Sequence, residues 1–425
     1  MSISLSLYQR LMGAAHLIAP GLLQRRVKRG KEDAIRYRER LGQTQALRPE
    51  GQLVWFHGVS VGESVSALPV IVVLAAERPD LNILITTATT TSADILAKRL
   101  PEGVIHQFAP IDTPQAVNAF LDHWRPDLAA FIESDIWPIQ LRALTARQVP
   151  HVLLSARITE KTYKGWQRFK GAMRPLLAGY SLIMAQDRAS EDRLTQMGVT
   201  VGPRANLKTI GAPLPVDPAA LSDLKKLIGK QFVYFAASTH YGEDSLLAKA
   251  LEPALWGGDL LILAPRHPIR AGEIRLDFQA LGLKVAQRSK NEPITSQTHI
   301  YLADTLGELG LFFTVADITI MGGSFLEDIG GHNPLEAARL GKCVITGPDI
   351  SNWTSIYADL LDVEAAFRVK GTAELSFLLS QFRQHPAVVK AANAKALSVS
   401  RKEADTLDIV WSALEPLLPE AVNDD

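Results

Sequence analysis

The sequence has few cysteines, no excess of charge of one sign and no metal-ligand spacing, and each absence excludes a class of protein. It contains one cysteine, Cys343, in 425 residues, which excludes an internal disulfide and favours a reducing compartment. Charge of one sign is not in excess, since 45 Lys and Arg balance 45 Asp and Glu. That balance excludes the strongly basic footprint of a nucleic-acid-binding protein. The His and Cys residues also have no metal-ligand spacing. What remains is an ordinary globular composition, long enough for two domains.

The sequence also lacks a long uninterrupted hydrophobic run. Residues 3–23 are rich in apolar side chains, but polar residues and Pro20 interrupt them. Arg10 near the middle of a membrane-spanning helix would cost roughly 2.5–3.5 kcal/mol. No small-residue cleavage site follows a clean apolar core, so the stretch is not typical of a signal peptide.

A basic segment follows this amphipathic stretch. Its cations are Arg25, Arg26, Lys28, Arg29, Lys31, Arg36, Arg38 and Arg40. One interpretation is a helix lying on an anionic cytosolic leaflet, where each cation contributes about 1 kcal/mol of attraction. The alternative is a helix packed on the protein with a solvated charged face. We favour the first, and predict that residues 1–45 form a membrane-associating and basic segment.

Short runs of β-forming residues alternate with longer helical segments, a pattern typical of a parallel sheet with helices on both faces. A linker with Pro213 and Pro215 divides the pattern into two halves. We therefore predict an α/β protein with two doubly wound, Rossmann-like domains, 46–215 and 216–425, that bind ligands at a cleft between the carboxyl ends of their strands. The predicted strands are 53–56, 83–86, 128–132, 151–154 and 181–185, then 232–236, 260–264, 300–303, 318–321 and 343–346.

Two acidic residues follow predicted strands in the first half. Glu63 lies in the glycine-punctuated turn HGVSVGES, where it either caps the next helix or serves in acid–base chemistry. Pro69 predicts a kink or a restart in that helix. Glu133 begins the run ESDIWP, in which a carboxylate pair beside Trp137 suits either a sugar or a helix cap.

Two cations and a run of hydroxyl residues are further candidate ligand-binding residues of the first half. Arg157 follows a predicted strand and suits a phosphate or a carboxylate. Lys208 lies just before the linker, where it either reaches the ligand or is a solvated surface charge. The hydroxyl-rich run 86–92 is either a helix cap or a sugar-binding edge.

In the second half, Arg266 also follows a predicted strand. The run GGHNPLEAA, residues 330–338, predicts Asn333 as a helix N-cap and Pro334 at the first helical position. Such a helix N-terminus suits a phosphate, and Glu336 is placed to accept ribose hydroxyls. A capped helix after a glycine-rich turn is also common without any ligand. A further helix is predicted to be capped by Asp304 or Thr305.

Taken together, these motifs resemble the 3-deoxy-D-manno-octulosonic acid (Kdo) transferases. The resemblance covers nearly the whole chain. It implies a GT-B fold, CMP-Kdo as donor, a lipid A precursor as acceptor, inversion at the anomeric carbon, no metal or other cofactor, and attachment to the cytosolic side of the inner membrane. The residues that carry it are 36–42, 57–63, 133–138, 206–208, 238–243, 265–268, 307–309, 322–324 and 331–337.

The resemblance also implies roles for individual residues. Glu63 matches the family's catalytic base, and Glu133 and Lys208 match positions that stabilise the transition state. The positions that contact CMP are matched by Pro265, Arg266, Leu306, Gly307, Glu308, Asn333, Pro334, Leu335 and Glu336.

Three positions depart from the family's pattern. Ala205 replaces a glycine, Asp135 replaces a longer carboxylate, and Ile139 replaces an amide. The alternatives are therefore a divergent GT-B enzyme that uses a related acidic sugar donor or another glycolipid, and a catalytically silent binder of lipid or nucleotide.

Overall fold

The computed structural model describes residues 3–133 and 136–420. The chain forms two compact units. The first comprises Met1–Gly211 and Asp405–Asp425, and the second comprises Ala212–Ala404.

The first unit is a six-stranded parallel sheet with the strand order β3-β2-β1-β4-β5-β6. Two helices precede it, and short 3₁₀ helices lie at Tyr37–Leu41 and Leu207–Thr209. The elements are α1 Ile3–Ala15, α2 Ala19–Lys28, β1 Leu53–His57, α3 Val61–Glu77, β2 Asn82–Thr87, α4 Thr90–Leu96, β3 Ile105–Phe108, α5 Pro114–Trp124, β4 Leu128–Ile132, α6 Pro138–Ala146, β5 His151–Ala156, α7 Glu160–Arg168, α8 Lys170–Leu177, β6 Leu182–Ala185 and α9 Arg188–Gln196.

The second unit is a seven-stranded parallel sheet with the order β13-β12-β11-β7-β8-β10-β9. Short 3₁₀ helices lie at Pro268–Arg270 and Arg288–Lys290. The elements are α10 Pro218–Ile228, β7 Val233–Thr239, α11 Glu243–Trp256, β8 Leu260–Pro265, α12 Ala271–Ala280, β9 Val285–Gln287, β10 Ile300–Leu302, α13 Leu309–Val315, β11 Ile318–Met321, α14 Leu335–Ala338, β12 Val344–Thr346, α15 Thr354–Asp362, β13 Ala366–Arg368, α16 Thr372–Gln384 and α17 Pro386–Ala404.

Both sheets are buried on both faces, as parallel sheets are when helices cover them. In β1, Trp55 packs in the apolar cluster on one side of the sheet and Phe56 in the cluster on the other side. Successive strand residues point to opposite faces, so a continuous apolar run fills both clusters. The sequence prediction of two doubly wound α/β domains is confirmed.

The last helix, α18 (Thr406–Leu414), differs from the predicted domain division. It is followed by a 3₁₀ helix at Glu415–Leu417. Val410, Leu414 and Leu418 are buried in the same apolar cluster as Val70 and Leu74 of α3, so the chain returns to the first unit. The prediction that 216–425 is one domain was therefore wrong for its C-terminal part.

The N-terminal helices also belong to the first unit and are not a separate segment. Leu5 of α1 is buried in the main apolar cluster, and Leu23 of α2 packs against Leu41. The Tyr8 hydroxyl donates to Asp112 at 3.0 Å. Other apolar side chains of this region are exposed, namely Leu7, Leu11, Leu17, Ile18 and Leu22. Within the described ranges, no helix is both long and apolar enough to cross a bilayer.

Candidate active site

Glu63 lies in the first turn of α3, directly after the turn that leaves β1. Ser60 is the N-cap, and its hydroxyl accepts a hydrogen bond from the Glu63 amide. The Glu63 carboxylate in turn accepts from the amides of Val59 and Ser60, at 2.6 and 2.9 Å. This is a capping box, so the capping interpretation of Glu63 is confirmed.

The capping role does not use the whole carboxylate. Both amides donate to Oε2, and within the described residues Oε1 accepts no hydrogen bond. The Glu63 side chain is half-buried. The geometry is therefore compatible with a second role for Oε1. Helix α3 continues through Pro69 without a break, so the predicted restart does not occur.

Glu133 follows β4, the strand beside β1 in the sheet. Its backbone has a φ of 61°, which is unusual for a residue with a side chain. Its carboxylate Oε1 lies 2.6 Å from the Lys208 ammonium, and the two side chains are 7% and 21% exposed. The structure thus brings together two of the three residues that were predicted to be catalytic, and places Glu63 after the neighbouring strand.

Lys208 is positioned by the short 3₁₀ helix Leu207–Thr209. Asn206 caps it, since its side-chain oxygen accepts from the Lys208 amide at 3.1 Å. The hydroxyl of Ser155 at the end of β5 accepts from the Leu207 amide at 3.2 Å. The solvated-surface interpretation of Lys208 is therefore wrong, because its ammonium is paired with a largely buried carboxylate.

A buried aromatic cluster lies below these residues. His57 is fully buried, and its Nδ1 lies 2.8 Å from the Thr86 hydroxyl. Burial, with the nearby positive charge of Arg40, lowers the pKa of His57 to about 3, so its imidazole is neutral at pH 7. Trp137 packs edge-on against His57. The cluster lies at the same edge of the sheet as Glu63 and Glu133, because His57 ends β1 and Trp137 follows β4 in the chain.

The hydroxyl-rich run is used by the fold. Thr86 accepts from the Trp55 indole at 2.8 Å, and Thr89 caps α4 by accepting from the Ser92 amide. The capping interpretation of this run is confirmed. Arg157 directly follows β5, and its amide donates to the Glu133 carbonyl at 3.4 Å. 

Sequence reasoning missed Asp112, which organises the next helix. Asp112 is buried and accepts from the amides of Ile139 and Gln140, at 3.2 and 3.0 Å. It thereby caps α6, whose preceding residue Trp137 offers no side-chain cap. The predicted pair partner Asp135 lies outside the described residues. Ile139 is a buried residue of α6.

In the second unit, Arg266 follows β8 and its side chain is exposed. The positive charges of Arg266 and Arg339 act on Glu336, but burial dominates and raises the pKa of that carboxyl. The side-chain oxygen of Asn333 accepts from the Leu335 amide at 3.0 Å. Helix α14 is only one turn long, and the phosphate site predicted at its N-terminus stays a prediction.

The predicted CMP-contacting run at 306–308 is arranged by ionic and hydrogen-bonding partners. Glu308 accepts from Arg288, 2.6 Å away, and this hydrogen bond lowers the pKa of the Glu308 carboxyl. Leu306 is largely exposed, and Gly307 has a φ of 85°. Asp304 accepts from the Ser289 amide and the Thr305 hydroxyl donates to the Glu308 carboxylate, so neither caps α13 and the prediction that one of them does was wrong.

Glu243 is a second residue that sequence reasoning did not assign. Its fully buried carboxylate accepts four backbone hydrogen bonds, two on each oxygen. The donors are the amides of His240, Gly323, Ser324 and Phe325, at 2.7 to 3.0 Å. Glu243 therefore fixes the ends of β7 and β11 to each other. An acidic residue in a first helical turn is the only sequence signal for this role.

A pair of histidines lies at the same edge. The Nε2 atoms of His240 and His332 are 3.0 Å apart, and the two rings are stacked within 14°. Arg266 and His267 are close enough for their charges to act on His240. Within the described parts of the chain, no three His, Cys, Asp or Glu residues are grouped so that they could hold a metal ion.

Comparisons with known proteins agree with these observations. Residues 35–210 match the sequence profile of a family described as 3-deoxy-D-manno-octulosonic-acid transferase (kdotransferase). The 3-deoxy-D-manno-octulosonic acid transferase of Rickettsia felis is 35% identical over 363 residues, which cover 84% of this chain and 77% of that protein. The protein of the same name from Bordetella pertussis is 30% identical over 429 residues, or 96% of this chain and 98% of the other.

Solved structures show the same architecture. A glycosyltransferase from Rickettsia africae ESF-5 superposes with a TM-score of 0.57 at 13% identity, covering 87% of this chain and 98% of that chain. The UDP-GlcNAc 2-epimerase of Neisseria meningitidis superposes with a TM-score of 0.56 at 13% identity, covering 86% and 100%. At such low identity the likeness shows the fold alone, and that fold is GT-B.

Proposed function

The chain belongs to the Kdo transferase family, glycosyltransferases of lipopolysaccharide synthesis, and on that premise we propose that it transfers Kdo from CMP-Kdo to a lipid A precursor with inversion at the anomeric carbon. The observation that carries the proposal is the placement of Glu63 and Glu133 after the adjacent strands β1 and β4. Carboxylates at the carboxyl edge of such a sheet lie where doubly wound folds bind ligands.

Glu63 is the general base in this proposal. Inverting transfer requires a group that removes the proton of the acceptor hydroxyl while the nucleotide leaves. Its Oε2 is held by two amides, and Oε1 remains to take the proton. Because the capping box fixes the side chain, the base needs no rearrangement before it acts.

Glu133 and Lys208 act as a charge pair beside the reacting sugar. Kdo carries its own carboxylate, which an ammonium attracts. Lys208 is held 2.6 Å from Glu133 in a largely buried setting, where electrostatic interactions are stronger than in water. We propose that this pair orients Lys208 toward the sugar and stabilises charge in the transition state.

The second unit binds the CMP group in this proposal. Arg266 supplies a guanidinium for the phosphate, and Glu336 accepts hydrogen bonds from the ribose hydroxyls. Pro265, Leu306, Gly307, Glu308, Asn333, Pro334 and Leu335 form the remaining contacts. We propose that the reaction needs no metal ion.

The N-terminal helices meet the cytosolic leaflet of the inner membrane in this proposal. Leu11, Leu17 and Ile18 are each more than 60% exposed, although α1 and α2 pack on the protein through other residues. Exposed apolar side chains beside a cationic segment suit an interfacial helix on anionic lipid. The surface therefore brings the enzyme to its lipid acceptor.

The decisive experiment incubates the full-length protein with CMP-Kdo and tetra-acylated lipid A precursor. Mass spectrometry is expected to show addition of one or more Kdo residues, and NMR of the product is expected to show the inverted anomeric configuration. The same assay with EDTA is expected to give the same rate. Binding of CMP-Kdo without any product would instead favour a silent binder, and turnover with another acidic sugar nucleotide or glycolipid alone would favour the divergent enzyme.

A further inference from the structure

The imidazoles of His240 and His332 form a pair that requires a proton between them. Their Nε2 atoms are 3.0 Å apart, the ring planes differ by 14° and the centroids are 5.1 Å apart. Two neutral Nε2 atoms that both lacked hydrogen would repel each other, so one ring must donate to the other. The contact joins the end of β7 to the loop before α14.

The backbone around the pair is shaped to hold it. A Cβ atom at Gly323 would lie 2.8 Å from the His332 ring, and Gly323 has a φ of 68°. The His332 ring also hydrogen-bonds to the backbone of Ser238. Glu243 accepts from the His240 amide and from the Gly323 amide, at 2.8 and 2.7 Å. One buried carboxylate thus fixes the backbone on both sides of the pair.

The groups facing the pair keep it neutral when no ligand is bound. Burial, with the charges of His240 and Arg266, lowers the pKa of His332 to about 4. Burial also lowers the pKa of His240, and His267, Arg266 and Arg270 add to that effect while Glu243 opposes it. Further charged or titratable groups nearby are Glu336, which faces Arg266, Asp244, which pairs with Arg270, and Tyr241, whose ring lies under Arg270.

We infer that His240 and His332 together carry a proton that the phosphate of CMP draws into the site, so that binding of CMP is coupled to proton uptake by the pair. The inference rests on the proposed function, which places the CMP phosphate beside Arg266. A phosphate monoester has a second pKa of about 6 and is largely a dianion at neutral pH. A dianion beside the pair favours its protonated form, because an opposite charge nearby raises the pKa of an imidazole.

The same proton balances the charge of the reaction. In CMP-Kdo the phosphate is a diester with one negative charge. When the bond from the anomeric carbon to the phosphate oxygen breaks, that oxygen keeps the electron pair and CMP acquires a second negative charge. The pair takes its proton from solvent when the anionic phosphate of CMP-Kdo binds, and the resulting imidazolium donates a hydrogen bond or its proton to this oxygen. At the same time the acceptor oxygen bonds to the anomeric carbon and Glu63 receives the acceptor's proton. Exchange with solvent then restores both groups.

Calorimetry of CMP binding tests the inference. Titrations near neutral pH in buffers of different ionisation enthalpy give the number of protons taken up per CMP bound. Wild type is expected to take up a substantial fraction of one proton, and cytidine, which lacks the phosphate, almost none. H240Q and H332Q keep an amide near the Nε2 position but do not titrate, so both are expected to lose most of the uptake. H299Q, at a histidine that packs against Trp256, is the matched control.

The outcomes are distinct. If CMP binds to wild type without proton uptake, or if both glutamine variants take up as many protons as wild type, the inference is overturned and the proposed function stands. If CMP does not bind at all, the proposed nucleotide site fails and the inference fails with it. Because H240Q or H332Q could lose affinity through misfolding, melting temperatures are compared, and ¹⁵N chemical shifts of the imidazoles in wild type give an independent measure. Those shifts are expected to move toward the protonated form when CMP binds, and unchanged shifts would overturn the inference.

Discussion

The ammonium of Lys208 lies 2.6 Å from the carboxylate of Glu133, although the two residues belong to different loops of the first unit. Glu133 reaches this position on a backbone with a φ of 61°, which costs energy for any residue other than glycine. The Ser155 hydroxyl and the Asn206 side chain hold the opposite loop in place. Backbone strain of this kind clusters at functional sites, so it supports the role that we propose for this edge of the sheet.

K208Q is expected to lower both stability and turnover. Removing one partner of a fully buried pair costs about 3–5 kcal/mol, and we expect a smaller loss, because Lys208 is 21% exposed. Thermal unfolding and steady-state transfer assays measure the two effects. The matched control is K164Q in the pair Lys164–Glu160 of the same unit, where both partners are mostly exposed; such a surface pair contributes about 0–1 kcal/mol. Equal losses for K208Q and K164Q would show that the buried pair has no special role.

E63Q is expected to abolish transfer while leaving CMP affinity unchanged. The amide oxygen of glutamine can still accept from the amides of Val59 and Ser60, so the cap of α3 survives, but the side chain no longer accepts a proton. Loss of a general base lowers the rate by about 10²- to 10⁴-fold. Turnover and CMP titration separate the two effects, and E77Q, at the exposed end of the same helix, is the control. A variant with near-native turnover would remove Glu63 from the mechanism.

E243Q is expected to destabilise the second unit. Four backbone N–H groups donate hydrogen bonds to the Glu243 carboxylate, two to each oxygen. In glutamine an NH₂ group replaces one of these oxygens, so two of the N–H groups lose their acceptor. Each buried donor left without an acceptor costs about 1–3 kcal/mol. E252Q, at an exposed position of α11, controls for the loss of charge on that helix.

The melting temperatures of E243Q and E252Q test whether the four hydrogen bonds stabilise the second unit. CMP affinity should fall with E243Q as well, because its carboxylate holds the backbone of His240 and Gly323. If E243Q melts at the same temperature as E252Q, the four hydrogen bonds contribute little to the fold.

We expect the buried carboxyl of Glu336 to make the stability of the protein depend on pH. Burial raises its pKa above the ordinary 4.5, so the ionised carboxylate is less stable in the folded protein than in the unfolded chain. Below the pKa of the unfolded chain, Glu336 is protonated in both states and costs no stability. As the pH rises through the higher pKa of the folded protein, the buried carboxyl ionises and the free energy of unfolding falls. E336Q is therefore expected to melt above wild type at about pH 8, by a margin that shrinks toward about pH 5. The exposed variant E327Q is the control, and a margin that grows as the pH falls would contradict the burial argument.

The fold was predictable from the sequence because its central strands are continuous apolar runs. All ten predicted strands are present, for example Leu128–Ile132 with its exact bounds. The three strands that the sequence did not predict, Ile105–Phe108, Val285–Gln287 and Ala366–Arg368, are edge strands of three or four residues. These short strands carry polar residues such as His106 and Gln287, so they lack the continuous apolar run that marks the central strands.

The site was predictable only in part. Residues that follow a predicted strand, such as Glu63 and Glu133, can be found because the strand's end fixes their place. The pairing of Glu133 with Lys208 and of His240 with His332 cannot be derived from spacing, because each contact depends on how separate loops pack. The buried capping role of Asp112 was missed for the same reason, since the helix it caps begins at Pro138.

The N-terminal surface gives the last prediction. Deleting α1 and α2 would remove Leu5 and Leu23 from buried positions and damage the first unit. Replacing only exposed side chains avoids this, and L11N/L17N/I18N is expected to lose most binding to vesicles of anionic lipid while keeping its melting temperature. Transfer to a detergent-dispersed acceptor should survive, because these residues lie outside the proposed catalytic groups.

Charge and apolar contact make separable contributions to this binding. Electrostatic attraction is screened over about 10 Å at roughly 0.1 M salt, so high salt should weaken the vesicle binding of wild type only in part. L276N/L281N/F377N, which replaces equally exposed apolar residues of the second unit, is the control and should bind as wild type does. Co-sedimentation at low and high salt measures both variants. If the N-terminal variant stays on vesicles at high salt, the membrane-binding surface lies elsewhere on the protein, since neither the three replaced apolar side chains nor cationic attraction would then account for the binding.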